Sequence, residues 1–346
     1  MTQYAILANP GHNRIYFSYA LCIAQQELTA VLGARGVEPQ YTQASCEGLP
    51  PAVYFQTPEP LCEDALQAVR TCSFFYALFE VHEGGLLRPA DVPEFHTFPE
   101  DLCHILRYTG KTNEQFTRLM VNLACSACKT PAATKKLLDP MCGKGTTLYE
   151  GMVRGMDVIG IEHNAQWVQE TQTFLVRYLK EGRFKHQLTR ERRSAPGGKK
   201  LAEFIQLQTA ARKEDYLAKQ YQSVSLAHAD TRSTAQLLRR NSCDLLACDL
   251  PYGVQHASRQ GAQGAQLSRS PLELLLEALP GWFDVLKARA AAVLSFNVFT
   301  LSWQEAAQAL EQNGFQVLSQ SPYTGYQHRV DQAINRDLIV AVKPAG

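Results

Sequence analysis

The stretch LLDPMCGKGTTLYE, Leu137 to Glu150, constrains the fold more than any other. An apolar run ends on Asp139, a glycine turn follows at Cys142-Gly143-Lys144-Gly145, and a helix opens at Thr146. Glycines at the carboxyl end of a strand let backbone approach a ligand closely. The spacing is not the dinucleotide G-x-G-x-x-G. It is not a phosphate loop either, because Lys144 sits between the glycines rather than after G-x-x-x-x-G.

Strand and helix patterns alternate behind this turn. Apolar strands are predicted at 136–139, 158–162, 224–229, 244–248, 292–296, 315–319 and 338–342, with helices between the first six. That alternation predicts a doubly wound parallel sheet, its last strand antiparallel. Ahead of it, strands and helices over residues 4–81 follow the order β-α-β-β-α-β, a small α+β ferredoxin-like arrangement. The expected organisation is an N-terminal domain at 1–84, a proline-containing linker at 85–98, and a second domain at 99–346. Helices are predicted at 99–108 and 113–127.

Three further strand ends carry acidic residues. VIGIEHN ends on Glu162, 23 residues after Asp139, where doubly wound folds hold ribose hydroxyls. LAHADT places Asp230 at the third strand end, where it can cap a helix or accept from an adenine amino group. ACDLPYG closes the fourth strand. Its Asp249-Leu250-Pro251-Tyr252 resembles the [DNS]-P-P-[YF] motif of methyltransferases acting on amino nitrogens of bases. An aromatic amine is a weak nucleophile. The Asp249 carboxylate and the Leu250 carbonyl can accept both of its N–H bonds and stabilise developing positive charge. Pro251 stiffens the turn, and Tyr252 can stack on a flipped or unpaired base.

With these residues in place, the chain resembles a class I S-adenosylmethionine (SAM)-dependent methyltransferase with a Rossmann-like sheet of seven strands. Among these it is similar to the tRNA guanine-N2 methyltransferases that modify the guanosine at position ten. It leaves no room for their THUMP domain, and Leu250 stands where the motif has one of its two prolines. The resemblance implies a SAM site at Asp139, Met141, Cys142, Gly143, Gly145, Thr146, Thr147, Glu162, His163, Asp230 and Thr231. Thr112, Asn113 and Phe116 join it from the helix before the glycine turn. It implies no metal. The implied reaction is methylation of an exocyclic amino group, guanine N2 in tRNA-like RNA. The alternatives are DNA adenine-N6 or cytosine-N4 methylation, or a SAM-binding RNA-interaction protein without turnover.

The net charge of +1 conceals an asymmetry. Residues 177–200 hold nine Lys/Arg against two Glu. This basic insertion, at about 180–200, suggests a polyanion contact through Arg190, Arg192, Arg193, Lys199 and Lys200, or a solvated loop. No apolar run is long enough for a membrane helix. The N-terminus lacks a signal-peptide pattern, so the ten cysteines are expected as reduced thiols of a cytoplasmic protein.

Overall fold

A computed structural model describes residues 1–11, 14–42, 48–104, 111–194, 200–252 and 270–345. The chain begins β1 (Thr2–Ala8), α1 (Arg14–Gly33), β2 (Gln40–Tyr41), β3 (Ala52–Thr57), α2 (Glu63–Arg70), β4 (Phe75–Val81) and β5 (Leu87–Pro89). These strands form an antiparallel sheet in the order β2-β3-β1-β4-β5. Its first four strands have the ferredoxin-like arrangement expected from sequence. The stretch expected as a linker therefore contributes an edge strand, because Leu87–Pro89 continues the pairing on β4.

Helix α1 keeps a narrow exposed stripe at Ser18, Cys22 and Gln25 and buries the surface on either side of it in two directions. Ala24, Leu28 and Val31 pack on the small sheet, while Ala20, Ile23 and Ala30 join the core of the larger one. Two helices follow, α3 (Asp101–His104) and α4 (Glu114–Ala127). The first lies within the helix expected at 99–108, of which residues 105–108 lie outside the described residues. The second starts where the Asn113 carboxamide oxygen accepts from the Gln115 amide at 2.8 Å.

The remaining elements are β6 (Lys136–Asp139), α5 (Thr146–Val153), β7 (Asp157–Glu162), α6 (Ala165–Glu181), β8 (His186–Ser194), β9 (Lys200–Thr209) and α7 (Lys213–Leu217). Then come β10 (Gln222–His228), α8 (Thr234–Leu237), β11 (Cys243–Asp249), α9 (Pro271–Val285), β12 (Leu286–Asn297), α10 (Trp303–Gln312), β13 (Gln316–Val317), β14 (His328–Arg329) and β15 (Asn335–Val342). They build one sheet in the order β13-β15-β12-β11-β6-β7-β10-β9-β8, with β14 pairing β15. Strands β10, β7, β6, β11 and β12 are parallel, and β15 is antiparallel as expected. This is the Rossmann-like class I methyltransferase sheet.

One expectation fails. Between β7 and β10 the chain makes not only a helix but also the hairpin β8–β9, which extends the sheet antiparallel to β10. The basic stretch is thus largely strand rather than loop. No helix among the described residues is long and apolar enough to cross a membrane.

The order of strands reverses between β6 and β11: the chain runs outward through β7 to β10, then crosses back to β11. Ligand crevices in such sheets open at this reversal, beyond the carboxyl ends of the strands. Asp139 and Asp249 end the two strands that flank it.

Candidate active site

The glycine loop is held from three sides. The Met141 amide donates to Asp139 Oδ1 at 3.1 Å, the Cys142 amide to the Ile161 carbonyl at 3.0 Å, and the Gly143 amide to Glu162 Oε2 at 3.0 Å. Gly143 and Gly145 have φ of 51° and 88°, a region costly for residues with a Cβ. A Cβ on Gly145 would lie 3.2 Å from both Tyr149 and Thr171, whereas one on Gly143 would meet no atom within 4 Å. Lys144 turns outward to Glu170, 2.6 Å away. Thr146 and Thr147 are buried beneath the turn. Burial pushes Asp139 up to about 7, against the Thr147 and Met141 hydrogen bonds, and the charges of Asp249 and Glu162 push the same way.

Glu162, nearly buried, also accepts from the Asn164 amide through Oε1 at 2.8 Å. His163 Nδ1 is 3.0 Å from the same oxygen, and that contact raises the His163 pKa. Asp230 follows β10 as a cap. Its carboxylate accepts from the Arg232 amide at 2.9 Å and Nε at 2.8 Å, which holds its pKa down. Arg232 continues to Glu277 at 3.0 Å. The structure thus shows Asp230 in the capping role, with the arginine as its immediate partner. The Thr231 hydroxyl accepts from the Trp282 indole at 3.0 Å.

At the end of β11 the Asp249 carboxylate gathers three hydroxyls. Thr112 donates to Oδ2 at 2.6 Å, Tyr252 to Oδ1 at 2.6 Å, and Ser295 to Oδ1 as well. Arg336 Nε donates to the Tyr252 hydroxyl at 2.6 Å, and its terminal nitrogen lies 3.9 Å from Asp249 Oδ2. The guanidinium carbon sits 4.5 Å from the Phe116 ring centroid and 5.2 Å from that of Tyr252. Thr112 and Phe116, expected beside the cofactor, border the Asp249 cluster, and Asn113 caps α4. The Leu250 amide donates to the Ser295 carbonyl at 2.9 Å, which fixes the turn. Pro251 is exposed. His328, buried beside Phe116, is pulled down to about 4 by burial.

Ser295 and Arg336 were not anticipated. They lie on β12 and β15 and reach Asp249 only through sheet pairing, with Asn297 opposite Arg336. Their sequence signal is faint: a serine inside the apolar run AAAVLSF, and an arginine at the polar start of a strand.

The basic residues do not form one ridge. Arg190 bonds Gln172 of α6 at 2.9 Å, whereas Arg193 lies on the other side of the hairpin, 4.3 Å from the Phe204 ring centroid. Arg192 is exposed on β8. Such charges on an edge strand also discourage pairing with another chain. Lys199 and the side chain of Lys200 lie outside the described residues.

The fold and this crevice define a class I methyltransferase. More specifically, residues 107–296 match the UPF0020 family, described as RMKL-like, methyltransferase domain, and the chain belongs to it. A comparison with curated proteins finds no match. Among solved structures, a TehB-like SAM-dependent methyltransferase from Corynebacterium glutamicum is 13% identical, over 61% of this chain and 82% of its own, at a TM-score of 0.36. Magnesium protoporphyrin IX methyltransferase from Synechocystis, with SAM bound, is 13% identical over 66% and 79%, at 0.38. An rRNA methylase from Streptococcus thermophilus is 10% identical over 61% and 88%, at 0.34.

The cofactor of the family is SAM, and the residues present fit it. The loop leaves open space at Gly143. Acidic side chains at the ends of β6 and β7 and just past β10 suit a ligand rich in amino and hydroxyl groups.

Proposed function

We propose that this chain methylates an exocyclic amino group of a nucleic-acid base, guanine N2 in a tRNA-like RNA. The supporting observation is the acceptor capacity of Asp249. A carboxylate offers about four lone-pair sites. Tyr252 and Ser295 fill Oδ1, and Thr112 takes one site on Oδ2. One site on Oδ2 remains. Among the described residues no donor reaches the Leu250 carbonyl. Those two acceptors match the two N–H bonds of an amino group, and holding both aims the nitrogen lone pair away from them.

SAM supplies the methyl group from its sulfonium. The loop from Asp139 to Gly145 would hold its methionine end, Glu162 its ribose, and the Asp230–Thr231 turn its adenine. Asp249 then stabilises the positive charge that develops on the nitrogen. Tyr252, its hydroxyl fixed between Asp249 and Arg336, offers a ring of set orientation for the base. The hairpin arginines Arg190, Arg192 and Arg193, with Lys199 and Lys200, would contact phosphates.

The test is methyl transfer from labelled SAM to unmodified tRNA transcripts and to duplex DNA, followed by mass spectrometry of the nucleosides. The expected product is N2-methylguanosine in RNA. Asp249→Ala should lower turnover by a factor on the order of 10²–10³, with SAM affinity retained. A near wild-type rate for that variant overturns amino methylation at this site. Methyladenine or methylcytosine in DNA instead would establish the alternative substrate.

A further inference from the structure

We infer that a second, separate site takes the phosphate groups of the nucleic-acid backbone. It is a groove of about 640 Å³ on the sheet face of β9 and β10 and beneath residues 237–242. This inference rests on the nucleic-acid reading above and shares only Arg193 with the phosphate contacts named there.

Four cations line the groove, Lys136, Arg193, Arg239 and Arg240, and no lining residue is acidic. Carboxylates pair with two of them, Glu191 at 2.8 Å from Arg193 and Asp284 at 3.0 Å from Arg240, and the Asp244 carboxylate accepts from the Lys136 amide at 3.0 Å. The side chains of Lys136 and Arg239 make no hydrogen bond or ion pair with a described residue. Like charges gathered in a concave, partly desolvated space raise the local potential and concentrate anions.

The groove is also built to hold its cations in place. Arg193 stacks on Phe204, donates to the Leu237 carbonyl at 2.5 Å, and keeps further N–H groups for an anion. Glu191 takes its Nε and one Nη2 hydrogen, and the guanidinium so fixed holds its remaining N–H groups in one plane, where a phosphate oxygen can meet them. Gln206 accepts from the Ser225 hydroxyl at 2.5 Å, which leaves its NH2 as a neutral donor on the groove floor.

Position fits the same ligand. Lys136 opens β6 and Asp139 closes it, so the Lys136 end of the groove lies about 10 Å along β6 from the residue that ends this strand at the crevice. A backbone seated in the groove can therefore belong to the molecule whose base reaches Asp249.

The experiment measures binding of a tRNA transcript across a salt series for the full chain and for the triple variant Lys136→Gln, Arg239→Gln, Arg240→Gln. Each lost phosphate contact lowers the slope of log K against log salt by roughly 0.7–0.9, so the triple variant should lose about 2–3 from that slope. SAM affinity should stay unchanged, which shows that the variant is folded. The charge-keeping variant Lys136→Arg, Arg239→Lys, Arg240→Lys should retain the slope. An unchanged affinity and slope in the triple variant overturns the groove and leaves the nucleic-acid reading standing. A fall in the charge-keeping variant equal to that of the triple variant overturns it too. Failure of the wild-type chain to bind RNA or DNA at all overturns both readings. Inorganic phosphate that binds the groove without displacing RNA marks a free anion as the ligand and overturns the backbone assignment.

Discussion

Asp139 is an aspartate whose charge the fold opposes. In an unfolded chain such a carboxyl titrates near 3.9, whereas burial raises it to about 7 here. The folded state therefore favours the protonated form. The stability this contributes is fully present below about pH 4 and is lost as the pH rises through about 7. Linkage makes the loss as large as about 4 kcal/mol. Asp139→Asn keeps one acceptor for the Met141 amide but cannot ionise. Denaturant unfolding of both proteins between pH 4 and 8 should show the wild type losing stability relative to the variant across that window. Parallel stability curves would mean that Asp139 ionises as easily in the fold as outside it. Asp249 at the neighbouring strand end has three hydroxyl donors and Arg336 nearby.

The loop between β6 and α5 is an element shaped by its neighbour. Its backbone is closed against Ile161 and Glu162 at the end of β7, so a ligand at the loop feels any change in Glu162. Glu162→Ala removes the acceptor for the Gly143 and Asn164 amides. SAM affinity should fall by about 1–3 kcal/mol, read by calorimetry; equal affinity in the two proteins would place Glu162 outside the cofactor site. This element was legible in the sequence because apolar strands stop on carboxylates at Asp139, Glu162 and Asp249, with glycines where φ is positive. The hairpin β8–β9 was not. HQLTRERRS is too charged to read as a strand, and its pairing is dictated by the antiparallel edge of β10. Helix α1 was legible only in part. A single buried stripe accounts for Ala24, Leu28 and Val31, but Ala20, Ile23 and Ala30 form a second one that only tertiary contact explains. Arg336 and Ser295 lie beyond local patterns altogether, since strand pairing assembles them around Asp249.

At the scale of the whole molecule, α1 is the wall shared by the two sheets. Its second face meets α4, and a polar knot sits in that seam. The Glu27 carboxylate, fully buried, accepts from the Ser73 amide at 2.8 Å, the Ser73 hydroxyl at 2.6 Å and the Asn122 carboxamide at 2.5 Å. Asn122 also donates to the Thr71 carbonyl at 2.7 Å. Burial raises the Glu27 pKa even though these donors oppose it. Asn122 on α4 thus ties α1 to the turn after α2, and few substitutions could replace it. Asn122→Leu fills a similar volume but strips Glu27 and Thr71 of a donor while keeping them buried. The cost should be about 2–4 kcal/mol, concentrated at the seam rather than in either sheet. Unfolding that is cooperative across the seam in the wild type should then separate into two calorimetric transitions. SAM at a hundredfold excess over its Kd stabilises only the state that binds it, by about 2.7 kcal/mol. It should raise the transition of the large sheet in the variant and leave the other unmoved, whereas in the wild type it should move a single transition. A variant that still melts in one transition shifted by SAM would show that the apolar contacts of α1 alone couple the two sheets.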